Sequence, residues 1–150
     1  MNAIETMLQE VAAGTTGVNT YARGRKDYAN LGDDSYPRLF VLAVNPIDIV
    51  SMNHSVTSSY EVVAEVATLC NFTSDVANNV AERELYLNTL AEMDAVCNRF
   101  VTRMSRDARN TAPIGRVARR EIIHEHDDNL CGYVMTFTIT IKETKAYQCT

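Results

Sequence analysis

The sequence predicts an α+β fold, in which a mainly antiparallel sheet of about four strands is covered by one long helix. Three observations predict it: apolar and polar residues alternate in 132–142, apolar residues recur at helical spacing in 86–104, and 38–44 is a short apolar run. The first pattern is typical of a half-buried strand, the second of a helix with one packed face, and the third of a central strand buried on both faces.

The alternating segment supplies the clearest single strand. Its apolar positions are Tyr133, Met135, Phe137, Ile139 and Ile141. Thr136, Thr138, Thr140 and Lys142 stand between them and would face the other way. β-Branched and aromatic residues suit such a pleated, half-buried surface. One face of this strand therefore needs an apolar cover.

A long helix that begins near Glu82 is the predicted cover. Its apolar stripe consists of Tyr86, Leu90, Met93, Cys97, Phe100 and Met104, widened by Leu87 and Val101. Acidic residues lie towards its start and middle and arginines towards its end, which complements the helix dipole. Pro113, within Asn110–Gly115, excludes further helix.

The N-terminal third of the chain is predicted to contain a short helix and a long loop. Ile4, Met7, Leu8 and Val11 form one helical stripe that Gly14 would end. The polar segment at about 15–36 reads as a loop with a short strand near 19–22. Loops of this length are uncommon in compact domains unless they bind something.

The remaining segments are predicted from weaker patterns. Residues 45–59 read as irregular, with Ile47, Ile49 and Val50 packed against the core. We expect strands at 60–69 and 116–126, and a turn at 127–129 that joins the latter to the final strand in an antiparallel hairpin. A short tail follows at about 144–150.

Composition limits the classes of protein that fit. A length of 150 residues favours a single domain over residues 1–150, and a net charge of −5 argues against a general binder of nucleic acid or anionic membrane. No apolar run approaches the roughly 20 residues that span a bilayer. Met1 opens an amphipathic segment, so we expect a protein that is not secreted, with four free cysteine thiols rather than a disulfide framework.

Residue patterns nominate one weak metal site. His124 and His126 lie at alternate positions of a predicted strand, so both imidazoles would share a face. Two ligands do not define a zinc site, and an exposed hairpin end is the favoured interpretation. Cys97 lies within the helix stripe, where a buried small residue is expected. We therefore expect no catalytic residue and no cofactor.

Basic residues form two clusters along the chain. One lies in the long loop and the other opens the penultimate strand: Arg23, Arg25 and Lys26, then Arg116, Arg119 and Arg120. Solvated surface charge is the favoured interpretation. The alternative is docking onto an acidic partner or a neighbouring copy, because arginine suits bidentate contacts with carboxylates.

The order of elements resembles that of the tail-completion, tail-terminator and head-to-tail connector proteins of tailed bacteriophages. The residues that carry the resemblance are Tyr36–Leu42 (YPRLFVL) for the early strand, Glu82–Met104 for the covering helix and Asp127–Thr140 (DDNLCGYVMTFTIT) for the hairpin. The hairpin also resembles ring proteins in phages of gut Bacteroidales, including the crAss-like group.

The resemblance implies a structural virion protein and no enzyme. Copies would be assembled in the host bacterial cytoplasm into a ring at the neck or tail end, in contact with portal, connector or tail-tube proteins. DNA would pass through the channel without sequence-specific binding, and no membrane partner is implied. Alternatives are a small intracellular α+β enzyme or ligand- or metal-binding module, and an adaptor that does not form rings.

Overall fold

The computed structural model describes residues 2–24, 35–52, 55–70, 80–122 and 130–143. Within them the elements are α1 (Ala3–Ala13), β1 (Thr20–Arg23), β2 (Arg38–Met52), β3 (Ser55–Leu69), α2 (Val80–Arg106), β4 (Ala118–Glu121) and β5 (Leu130–Glu143). The α+β prediction is confirmed. The short strand expected near 19–22 is β1.

Within these described residues the sheet has five strands in the order β1-β2-β3-β5-β4, one more than the predicted four. β1 runs parallel to β2, and the other three pairings are antiparallel. β3 lies at the centre, where its residues 55–67 pair with β2 and its residues 56–69 pair with β5. The run that begins β2 is buried on both faces at 39–41, as expected, although β2 is not the central strand.

One face of the sheet and both helices enclose the main core. In β5 the predicted apolar face is confirmed: Met135, Phe137, Ile139 and Ile141 are buried in the main core and Tyr133 packs against it. The Phe100 ring of α2 meets the Phe137 ring edge to face, with centroids 6.2 Å apart. α1 contributes Ile4, Met7, Leu8 and Val11 to the same core and ends at Gly14.

The helix stripe was predicted correctly except at one position. Leu90, Met93, Cys97, Phe100 and Met104 are buried, and Tyr86 and Val101 are half-buried. The prediction that Leu87 belongs to the buried stripe was wrong, because this side chain is 54% exposed. Leu87 lies on α2 outside the helix face that packs against the sheet.

The prediction for 45–59 was also wrong. These residues continue β2 to Met52 and begin β3 at Ser55, so the two strands form a long antiparallel hairpin. Pro46 is compatible with this strand because β2 is an edge strand there, and the register shifts between Pro46 and Asp48. The polar composition of the segment reflects exposure rather than irregular backbone.

The expectation of free thiols fails for two of the four cysteines. Cys70 and Cys131 are joined in a disulfide, with Cα atoms 6.0 Å apart. The register of β3 with β5 sets Thr68 opposite Cys131, which brings Cys70 within reach of it. A pairing across 61 residues depends on that register, and the sequence spacing does not reveal it.

The predicted penultimate strand exists over Ala118–Glu121 and pairs antiparallel with β5, as expected. The rest of its predicted range from 123, the turn at 127–129 and the tail at 144–150 lie outside the described residues. The same holds for the central part of the long loop, 25–34.

The core packing gives a first prediction. Replacing Phe100 with alanine should lower the free energy of unfolding by about 3–5 kcal/mol, because a fully buried ring is lost and a cavity is left. Urea denaturation followed by circular dichroism measures this. Leu87→Ala is the matched control and should change stability by less than about 0.5 kcal/mol. A loss below about 1 kcal/mol in Phe100→Ala would contradict the packing.

Candidate interaction surface

The outer side of β2 is open along half of the strand. β1 pairs with β2 only at 38–41, and no other described strand pairs with that side. We call residues Asn45–Met52 the β2 edge. Unpaired backbone groups on such an edge can form hydrogen bonds with another strand.

Apolar side chains lie on the β2 edge in an exposed position. Ile47 is 55% exposed, Ile49 67% and Val50 45%, so the expectation that they pack against the core was wrong. α2 packs over β5 and β3 and α1 contacts α2 and β1, so neither helix covers this part of β2. Ile49 lies opposite Ser58 and Val50 lies opposite Thr57, so the two side chains point to opposite faces of the sheet and each face of the edge carries exposed apolar surface.

The two faces of the β2 edge differ. Ile49 lies opposite Ser58, on the face that carries the helices, and Asp48 lies opposite Ser59, on the other face. The Ser59 and Thr140 hydroxyls are hydrogen-bonded at 2.9 Å on that second face. Asp48 is the only charged residue of the edge.

The opposite side of the sheet ends in β4 and the segment before it. The Thr111 N–H donates to the carbonyl of Thr140 at 2.8 Å, so the chain after α2 runs beside β5 before β4 begins. We call residues Arg116–Glu121 the β4 edge. Arg116 and Arg120 are exposed there, and Arg120 lies opposite Val134, on the face that also carries Asp48.

The predicted interface residues Arg23 and Arg119 form ion pairs within the chain. Arg23 Nε lies 3.0 Å from a Glu5 carboxylate oxygen and ties β1 to α1. Arg119 pairs with Asp94 and donates to Asn98 Oδ1 at 2.9 Å, which ties β4 to α2. Both pairs are partly exposed, so each contributes no more than about 1 kcal/mol. Of the other predicted residues, Arg25 and Lys26 lie outside the described residues.

The predicted histidine pair cannot be placed, because His124 and His126 also lie outside the described residues. Among the residues that the structure does describe, no group of three or more His, Cys, Asp or Glu side chains could hold a metal ion. The metal site therefore stays a sequence hypothesis.

Cys97 lies on the buried face of α2, within the main core, and carries a free thiol. Burial, as the largest cause, raises the pKa of this thiol to about 12. The thiolate is the reactive form of cysteine, so a thiol with this pKa is a poor nucleophile near neutral pH. The geometry supports the packing role that the sequence predicts for Cys97.

The structure contains a buried ion pair that the sequence analysis did not predict. Arg38 and Glu65 are both almost fully buried, with Arg38 Nη2 3.6 Å from Glu65 Oε1. The Arg38 guanidinium also lies over the Phe40 ring, 5.1 Å from its centroid. The signal was a charged residue within each of two strongly apolar strands. Removing one partner would leave the other charge buried and uncompensated, so the pair links β2 to β3 specifically.

Comparisons with known proteins leave the class of the protein open. The sequence matches no model of a known protein family, and it matches no curated protein. Neither helix of the described chain is long and apolar enough to cross a membrane.

The cysteine arrangement gives a second prediction. In a Cys149→Ser protein, native chain should not react with a thiol reagent at about pH 8, because Cys97 is buried and protonated and the other two cysteines are bonded. Guanidinium without reductant should expose one thiol, and prior reduction should raise the count to three. Cys97→Ala in the same background should show none before reduction. Rapid labelling of native Cys97 would contradict its buried position.

Proposed function

We propose that this protein is a structural component of a tailed-phage virion that closes into a ring at the neck or head-tail junction. In this role it acts as a tail terminator or connector. The phage assignment comes from the sequence resemblance. The observation that supports a ring is a sheet that presents two chemically different edges, the apolar β2 edge and the basic β4 edge.

Different edges favour rings for a geometric reason. A ring requires a heterologous contact, in which one surface of each copy binds a different surface of the next copy and the rotation closes. A protein with a single self-complementary surface forms two-fold symmetric dimers instead. The β2 and β4 edges lie on opposite sides of one sheet, so each copy could contact two neighbours.

The charge of the chain is compatible with a channel for DNA. The net charge is −5, and a wall of this sign does not hold the phosphate backbone as it passes. Sequence-specific readout of bases is not required in this role. The other partners would be portal, connector or tail-tube proteins, with assembly in the host bacterial cytoplasm and residence in the virion.

The ring gives a third prediction. Purified protein at high concentration should form annular particles of uniform diameter with a central hole, seen by negative-stain electron microscopy, and should show a discrete multiple of the 16.7 kDa protomer mass in mass photometry. Dilution should release protomers, because the edges are small contact surfaces.

Two outcomes would count against this function. One is protein that stays monomeric at high concentration, also when mixed with the portal, connector or tail-tube proteins of the same virion. The other is stoichiometric bound metal that is lost when His124 and His126 are both replaced, which would favour the metal-binding alternative.

A further inference from the structure

We propose that the β2 edge of one copy binds the β4 edge of the next copy in antiparallel pairing, so that the sheets join into one continuous sheet around the ring. This inference rests on the proposed ring and names the surfaces that close it. The occupant of the β2 edge is thus a second copy of this chain. The β4 edge that it receives spans Arg116–Glu121.

Strand directions in the sheet allow this joint. β2 is antiparallel to β3, β3 to β5, and β5 to β4, so β2 and β4 run in opposite directions. A neighbouring copy that keeps the same sheet orientation therefore brings its β2 antiparallel to β4. Antiparallel pairing leaves hydrogen bonds perpendicular to the strands and needs no crossover connection.

Charge complementarity favours the β4 edge of a second copy as the surface that binds the β2 edge. Side chains that lie opposite each other across an antiparallel pair share a face of the sheet. Asp48, the only charge of the β2 edge, is on the face away from the helices, and so is Arg120. Arg116 is exposed three residues before Arg119 and adds positive charge to the same edge. A carboxylate thus meets a basic strand across the joint.

The competing joint is a symmetric one between two β2 edges. That contact would use the same apolar side chains, Ile47, Ile49 and Val50, but it would bring two Asp48 carboxylates to one small interface without a cation from either strand. It would also produce a two-fold pair and leave the β4 edge unused. The asymmetric joint satisfies the charge and uses both edges.

The first test places a charge in the joint. Ile49→Lys should weaken assembly at least tenfold in protomer concentration, since a lysine on an edge strand opposes pairing with another strand. Leu87→Lys is the matched control, because it adds the same charge at an exposed leucine of α2 and should assemble like the wild type. Mass photometry gives the assembly and circular dichroism shows that both variants fold.

The second test exchanges the charges. Asp48→Arg alone, and Arg116→Glu with Arg120→Glu, should each reduce assembly, and combining all three changes in one chain should restore it. Only an asymmetric joint predicts restoration, because a β2–β2 contact does not include the β4 edge. Should the Arg120 change impair folding, Asp48→Arg with Arg116→Glu alone provides the same comparison.

The outcomes separate this inference from the ring itself. Rings that persist unchanged in Ile49→Lys would overturn the joint and leave the ring in place. Loss of assembly in Ile49→Lys without restoration by the exchanged charges would also overturn it, in favour of a symmetric contact. A wild-type protein that stays monomeric with its virion partners would remove both the ring and the joint.

Discussion

The packing of α2 against the apolar face of β3 and β5 is the contact on which the rest of the structure depends. Phe100 of α2 and Phe137 of β5 meet at its centre, and both are almost fully buried. The hydrophobic effect is proportional to the apolar area removed from water, and this contact removes most of the large side chains in the core. β3 lies between two long partner strands, β2 and β5, which fix the register of the sheet.

The register has consequences well away from the core. It places Cys131 opposite Thr68 and so allows the Cys70–Cys131 disulfide. It also requires Gly132, because a Cβ atom at that position would lie 1.9 Å from the carbonyl oxygen of Val66. Because α2 is anchored over β5 and β3 and α1 lies beside β1, the two helices leave the β2 edge uncovered. The exposed edge is therefore a consequence of where the core forms.

The sequence predicted the elements whose periodicity is strong and failed where burial depends on tertiary context. β5 and α2 follow from spacings of two and of three to four residues, and both are confirmed. Ile47 and Ile49 looked like core residues because hydrophobicity alone does not reveal what covers a strand. Proline is excluded from central strands, yet Pro46 lies within β2 because an edge strand accepts it. Arg119 was interpreted as solvated surface charge, because its ion-pair partner Asp94 is 25 residues away in the sequence.

Hydrogen–deuterium exchange read by mass spectrometry tests the central claim most directly, that one covered sheet face stabilises the fold while the β2 edge is left for assembly. In dilute protein, amides of 58–66 in β3 should exchange slowest and those of 45–52 much faster. At concentrations that allow assembly, 45–52 and 116–121 should become protected together, with β3 unchanged. Equal protection of 45–52 at every concentration, or new protection confined to α2, would contradict the account.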